Sequence, residues 1–286
     1  MHIRSPIEWL FGQADLATDH LGAAQPAEYF PPKKLTARPE IREISRNDLR
    51  LALRLGVKDF AAARTDVAFL CLIYPVIGVF LAVVTARGGL IPMMFPVAAG
   101  FTLVGPFAAV GLYEISRRRE MTGSANWLAA FDVLRSPAIG SICLLGGALI
   151  GVFLLWLAVA LGIYDATLGP QPPASVAAFA DALFTTPAGW AMIVVGLLVG
   201  AVFAVAALAI SVVSFPMLLD RPVSLRTAIQ HSIYAVRRNP GVLGLWGLII
   251  AAGLFFGSLP CFLGLIVVLP VLGHSTWHLY RRLIRR

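Results

Sequence analysis

The stretch that decides the fold is Ile91–Tyr113, IPMMFPVAAGFTLVGPFAAVGLY, followed by Glu114 and then by Ile115-Ser116-Arg117-Arg118-Arg119. It carries no charge from end to end. At about 1.5 Å per residue a helix of this length reaches roughly 35 Å, enough to cross a hydrocarbon layer of about 30 Å. The arginine triplet at its end marks the side on which that end stays.

Five more stretches of the same kind flank it. The spans are read at Val67–Val84, Ile91–Tyr113, Ile139–Tyr164, Trp190–Leu219, Val242–Leu259 and Phe262–Tyr280. The fourth is longer than a crossing needs, so it should tilt or break near Pro216. Only Pro260-Cys261 joins the last two, which predicts a tight helical hairpin. Basic residues set the orientation. Arg50, Arg54, Lys58 and Arg64 precede the first span, and Arg117–Arg119 and Arg135 follow the second. Arg221, Arg226, Arg237 and Arg238 lie between the fourth and fifth, and Arg281, Arg282, Arg285 and Arg286 follow the sixth. That leaves Arg87 as the one basic residue of 23 on the other side, so both termini are expected in the cytoplasm.

Composition agrees with this reading. The chain is 58% hydrophobic and 13% charged, where a soluble domain needs about 25% charged residues. The net charge of +8 would suit nucleic acid, but the cations border apolar spans and are expected to face lipid head groups instead. Cys71, Cys143 and Cys261 are widely spaced and form no metal motif, so they are read as small buried hydrophobes. No cleavable signal peptide is visible, because the first apolar run begins only after residue 66.

Residues 1–44 form a separate cytoplasmic segment: a capping box at Ser5-Pro6-Ile7-Glu8, a short amphipathic helix and a proline-rich linker. A second amphipathic helix starts at Ser45, with Asp48 three places on. Its apolar face is Leu49, Ala52, Leu53, Val57 and Phe60, and Arg50, Arg54 and Lys58 form a basic stripe. Such a helix lies on the membrane or packs on other cytosolic parts; the pattern fits both. Amphipathic segments ending at Arg64-Thr65-Asp66, Arg135-Ser136-Pro137 and Arg238-Asn239-Pro240 each precede a pair of spans. The expected fold is therefore all-α: six transmembrane helices over residues 45–286, arranged as three hairpins, each preceded by a cytoplasmic amphipathic helix. Ser175 to Phe184 predicts a short helix on the outer surface, carrying Asp181.

Gly147-xxx-Gly151, Gly196-xxx-Gly200 and Gly253-xxx-Gly257 predict close packing within the bundle. Tyr164 and Trp190 are expected as outer interfacial anchors, and Tyr113, Trp277 and Tyr280 as inner ones. The span interiors lack Asp, Glu, Lys and Arg, which argues against ion-coupled transport. Glu114 is read as an ion-pair partner of Arg117–Arg119, and Ser211 and Ser214 as hydroxyls bonding back to helix carbonyls. His274 and His278, at i and i+4, share a helix face and are the weak metal candidates, but nothing obvious supplies further ligands. No cofactor is expected, and no GxSxG, phosphate loop or dinucleotide fingerprint marks an enzyme.

FLCLIYPVIG at 69–78, GPFAAVGLYEISRRRE at 105–120, TTPAGWAMIVVG at 185–196, SVVSFPMLLDRPV at 211–223 and LGHSTWHLYRR at 272–282 resemble a proteobacterial family of uncharacterised integral membrane proteins, a domain of unknown function. The resemblance covers nearly the whole chain from about residue 40. It implies a bacterial inner-membrane protein with about six helices and no assigned activity. Some relatives carry the label cytochrome c oxidase subunit I. Such an oxidase needs six membrane-embedded histidines, and only His274 and His278 fall in a span here.

The leading functional expectation is a non-catalytic membrane module that binds anionic phospholipid head groups or a membrane protein partner. Arg50, Arg54, Lys58, Arg117, Arg118, Arg119, Arg237 and Arg238 would form its contact surface. The alternatives are an uncoupled facilitator of a small solute, with the proline-broken spans as its path, and an accessory protein of a respiratory or metal-dependent complex.

Overall fold

The computed structural model describes residues 40–62, 71–87, 89–124 and 127–285. The capping box at Ser5, the helix and linker after it, and the start of the span read at Val67 lie outside the described residues. Among the described residues the chain is all-helical, with no strand; one isolated bridge pairs Ile41 with Ile284.

The first helix, α1 (Arg46–Ala62), opens on the expected capping box. The Asp48 carboxylate accepts the Ser45 backbone N–H at 2.9 Å, and Ser45 Oγ accepts the Asp48 N–H at 3.3 Å. Helix α2 (Ile73–Arg87) follows. The stretch Ile91–Tyr113 is not one helix, as its uniform apolar character suggested. It is a 3-10 turn (Ile91–Met93), then α3 (Met94–Ala98), α4 (Gly100–Ala108) and α5 (Val110–Thr122), interrupted at Ala99 and Ala109. Pro96 and Pro106 lack the N–H that a continuous ladder requires. A second 3-10 helix (Trp127–Arg135) leads into α6 (Ile139–Thr167), and the short helix read at Ser175 to Phe184 is α7 (Val176–Thr185), capped by Ser175.

Helix α8 (Pro187–Ser211) breaks at Val212-Val213 before α9 (Ser214–Asp220). The break falls where the ring of Pro216 would meet the carbonyl four residues back. The freed Val213 N–H donates to Ser232 Oγ of α10 (Leu225–Arg238) at 3.1 Å. Ser211 and Ser214 bond back to Ala207 and Ile210 carbonyls, both at 2.6 Å, as expected. Helix α11 (Pro240–Ser258) then turns through residues 259–264 into α12 (Leu265–Leu283). Cys261 and Phe262 take positive φ in that turn, at 49° and 65°.

Among the described residues three helical stretches are long and apolar enough to cross a membrane: α6, α8 continued by α9, and α11. Their outward faces carry exposed Leu154, Leu155, Leu198, Val202, Leu248 and Phe256, an apolar exterior that water would not tolerate at this extent. Helix α12 lies at the centre of the bundle. Its second half, from Leu272, is almost wholly buried against α1, α5, α9 and α11.

Glycines set several of the close contacts. A Cβ on Gly56 would stand 2.6 Å from the Ser275 nitrogen, and one on Gly264 would stand 2.7 Å from Gly257 Cα. Gly253 and Gly257 therefore pack within the chain, and Gly200 meets Trp156. Gly147, Gly151 and Gly196 meet no described atom, so α6 packs instead through Gly146, under the ring of Phe107. Cys71 is buried as expected, but Cys143 and Cys261 are exposed. Spacing alone could not tell a bundle face from an outward one in helices that are apolar all round.

Candidate functional site

The buried face of α1 is Leu49, Ala52, Gly56 and Asp59. It is rotated from the face read off the sequence, because Val57 is half exposed. Gly56 admits the backbone of α12 without a side chain between the helices, and that contact carries Asp59 into the bundle. There Asp59 Oδ2 accepts from His278 Nε2 at 2.8 Å and from Ser116 Oγ at 2.7 Å, while Arg119 Nη1 lies 3.2 Å from Oδ1. Ser116 Oγ also lies 2.8 Å from His274 Nδ1. The hydroxyl has one proton; given to Asp59, it leaves His274 Nδ1 as the protonated nitrogen donating to Ser116. His274 Nε2 and the neighbouring Ser275 Oγ are buried with no hydrogen-bond partner among the described residues.

Burial pushes the Asp59 carboxyl up, but hydrogen bonds from His278 and Ser116 and the nearby histidines outweigh it, so the group sits below the usual carboxylate range. The cluster thus ties three elements together through one carboxylate: α1, α5 and α12. Ser116 is fully buried and bonded on both sides, so it offers no face to a substrate.

A second network lies on the next turn of α12. Trp277 Nε1 donates to Glu120 at 3.1 Å, Arg281 bridges Glu120 and Asp220, and Tyr280 OH donates to Asp220 at 2.7 Å. Trp277, Tyr280 and Tyr113 are therefore core residues, not the interfacial anchors expected from their place near span ends. Their rings are buried among helices that the sequence could not place beside them. Tyr164 and Trp190, by contrast, bond to the Gln171 and Phe184 carbonyls at the opposite end of the bundle.

The basic residues divide into two groups. Glu114 is buried and holds Arg117 with two bonds, at 2.7 and 3.0 Å, and Arg118 at 3.2 Å. Arg118 also reaches Asp132 at 2.8 Å, Arg119 is turned to Asp59, and Arg238 lies 3.5 Å from Glu43. These cations are occupied inside the protein. Arg50, Arg54 and Lys58 are exposed on α1 with Arg46 ahead of them, and none of the four makes an ion pair among the described residues. Arg237 is exposed as well. Beside α1, a cavity of about 500 Å³ is lined by Arg42, Glu120, His278, Arg281, Arg282 and Arg285.

His274 and His278 do share one face, but each is committed to a partner, Ser116 and Asp59 respectively. Among the described residues no group of three or more His, Cys, Asp and Glu is arranged to hold a metal. Asp59 is the residue that sequence reasoning passed over. The available signal was an acid three residues after Gly56 on the face that also carries Leu49 and Ala52. Its partner His278 is 219 residues away.

Long uncharged helices with an apolar exterior, closed at one end by a layer of buried ion pairs, define a helical multi-pass membrane protein. Residues 94–220 match the model of a family described as predicted integral membrane protein (DUF2189), a family of unknown function. No curated protein and no solved structure matches the chain.

Proposed function

We propose that this is a six-span module of the bacterial inner membrane, without catalytic activity, that holds residues 40 and 285 on the cytosolic side and offers α1 to an acidic partner protein. The observation that carries the reading is the row Arg46, Arg50, Arg54 and Lys58. Among the described residues these cations make no ion pair, and they stand on a helix whose opposite face is already fixed to the bundle. With its apolar face spent on α12, α1 is not a helix that lies flat in lipid. It is held at both ends by the last turns of α12, Asp48 lying near Arg282 and Asp59 at His278. The row extends about 18 Å along α1.

Contacts between the two ends of the chain agree with an even number of crossings, as six spans require. The Ile41–Ile284 pairing requires an even number of crossings between those residues. Asn239 accepts from the Ile44 N–H at 2.8 Å and donates to the Arg42 carbonyl at 3.1 Å, so the start of α11 lies on that same side. If α11 crosses, α12 must cross back. A membrane-impermeant maleimide applied from outside should label native Cys261 and a cysteine at Gln171, and should leave one at Ser124 unlabelled until the membrane is opened. Outside labelling at Ser124 would overturn the orientation.

For the partner, a photo-crosslinking residue at position 50 in native membranes should give one discrete protein adduct. That adduct should weaken in the R46E/R54E double variant and at raised salt, because exposed charge attraction is screened. Lipid adducts alone, or none, would reject the reading.

The second reading, a facilitator of a small apolar solute, draws on a cavity of about 270 Å³ between α4, α8, α11 and α12, walled largely by small residues such as Gly105, Ala204 and Gly247. Solute flux in proteoliposomes above that of empty vesicles would favour it.

A further inference from the structure

The 3-10 helix Trp127–Arg135 separates its residues sharply. Ala129 and Val133 are buried, and Ala130 packs so closely on α5 that a Cβ on Gly111 would stand 3.0 Å from its own. Leu128, Phe131 and Leu134 are 53%, 50% and 67% exposed. With three residues per turn, positions i, i+3 and i+6 eclipse one another, so these side chains form one straight ridge about 12 Å long. An α-helix over the same residues would have fanned them out.

Two observations indicate what covers the ridge. Gly111 lies inside the uncharged run that ends at Tyr113, so the 3-10 helix is seated at the depth where the apolar exterior ends, not beyond it. The charges around the ridge also suit a phospholipid boundary. Asp132, the one acid on the helix, pairs with Arg118 at 2.8 Å and lies 3.8 Å from Arg135, whose side chain at the ridge's end is 88% exposed.

We propose that Leu128, Phe131 and Leu134 lie in the acyl boundary of the bilayer with Arg135 at the level of the phosphates, making this 3-10 helix a monolayer-inserted anchor. It is the one amphipathic segment of the three to do so: α1 spends its apolar face on α12, and α10 packs Leu225, Ala228, Ser232 and Ala235 inward. Only the choice of leaflet, the cytosolic one, rests on the topology proposed above. The anchor also has a route into the protein. Consecutive arginines of α5 connect it to α1, Arg118 through Asp132 and Arg119 through Asp59.

The test uses the full chain in vesicles of three parts zwitterionic to one part anionic phospholipid. Native cysteines are replaced and a nitroxide is placed in turn at 128, 131, 134 and 133. Power saturation should show the first three several-fold more accessible to oxygen than to a water-soluble nickel chelate, with 133 shielded from both. Greater access to the chelate at the ridge would place it in water and overturn the proposal. Shielding from both reagents would mean that protein covers it, and would overturn it too. Should the labelled variants fail to fold, a photoactivatable lipid analogue on the unmodified protein decides: acyl adducts within 127–135 are expected, and their absence rejects the anchor. Neither readout depends on which way the chain faces.

Discussion

Asp59 receives two hydrogen bonds and a guanidinium. Removing one partner of a buried charged network leaves the others uncompensated, at a cost of about 3–5 kcal/mol. Asp59→Ala should therefore lower the thermal unfolding midpoint of the purified protein clearly, while Arg50→Ala, on the open side of the same helix, should leave it unchanged within error. The pH dependence has a definite sign. The folded carboxyl sits below its ordinary value of 3.8, so its contribution is complete above that value and fades as pH falls through the lower folded one. The difference in midpoint between wild type and Asp59→Ala should hold from pH 7 to about 5 and shrink below about 4. A gap that closed between pH 6 and 7 would assign the effect to a histidine instead. Ser232 allows a second test at this scale. Its hydroxyl accepts the Val213 N–H freed by the break before Pro216, so Ser232→Ala should cost about 1–3 kcal/mol, as a buried donor left unpaired does.

Between elements, the junction of α1 with α12 depends on the absence of a side chain at Gly56. A methyl there meets the Ser275 hydroxyl, which a second substitution could remove, but also the Ser275 backbone nitrogen at 2.6 Å, which none can. Gly56→Ala should thus destabilise by about 1–3 kcal/mol, and Ser275→Gly should fail to restore it; full rescue in unfolding measurements would show that the backbones are not in contact. The same junction explains why the buried face of α1 differs from the one that hydrophobicity alone predicts. Hydrophobicity ranked Val57 above Gly56 and Asp59 as a core residue. Packing reversed that order, because close approach favours the smallest residue and a buried acid is tolerable where a histidine and a serine meet it. Capping at Ser45 and Ser175, by contrast, was legible, since each cap is made within four residues of chain.

Across the whole molecule, apolar runs and basic clusters carried the membrane reading, and the match over residues 94–220 agrees with it. Uniform hydrophobicity also concealed several features. It suggested a single rod over Ile91–Tyr113 where prolines divide the chain into short pieces, and it made Gly147 and Gly151 look like a seam when they face outward. It also lowered the signal of α12, whose buried half carries His274, Ser275, Thr276 and His278. A helix at the centre of a bundle can hold such residues because its neighbours, not lipid, surround them.

Composition and local pattern by themselves determined the class of this protein, its helical character, the caps and the approximate limits of its apolar segments. Those properties follow from transfer of side chains and backbone out of water, which each segment experiences alone. Only the tertiary structure decided which cations make no ion pair among the described residues, that Asp59 joins His278 and Ser116, and that Leu128, Phe131 and Leu134 stand half exposed or more on one side of their helix. Each depends on contacts between residues far apart in the chain, whose geometry a local pattern does not contain.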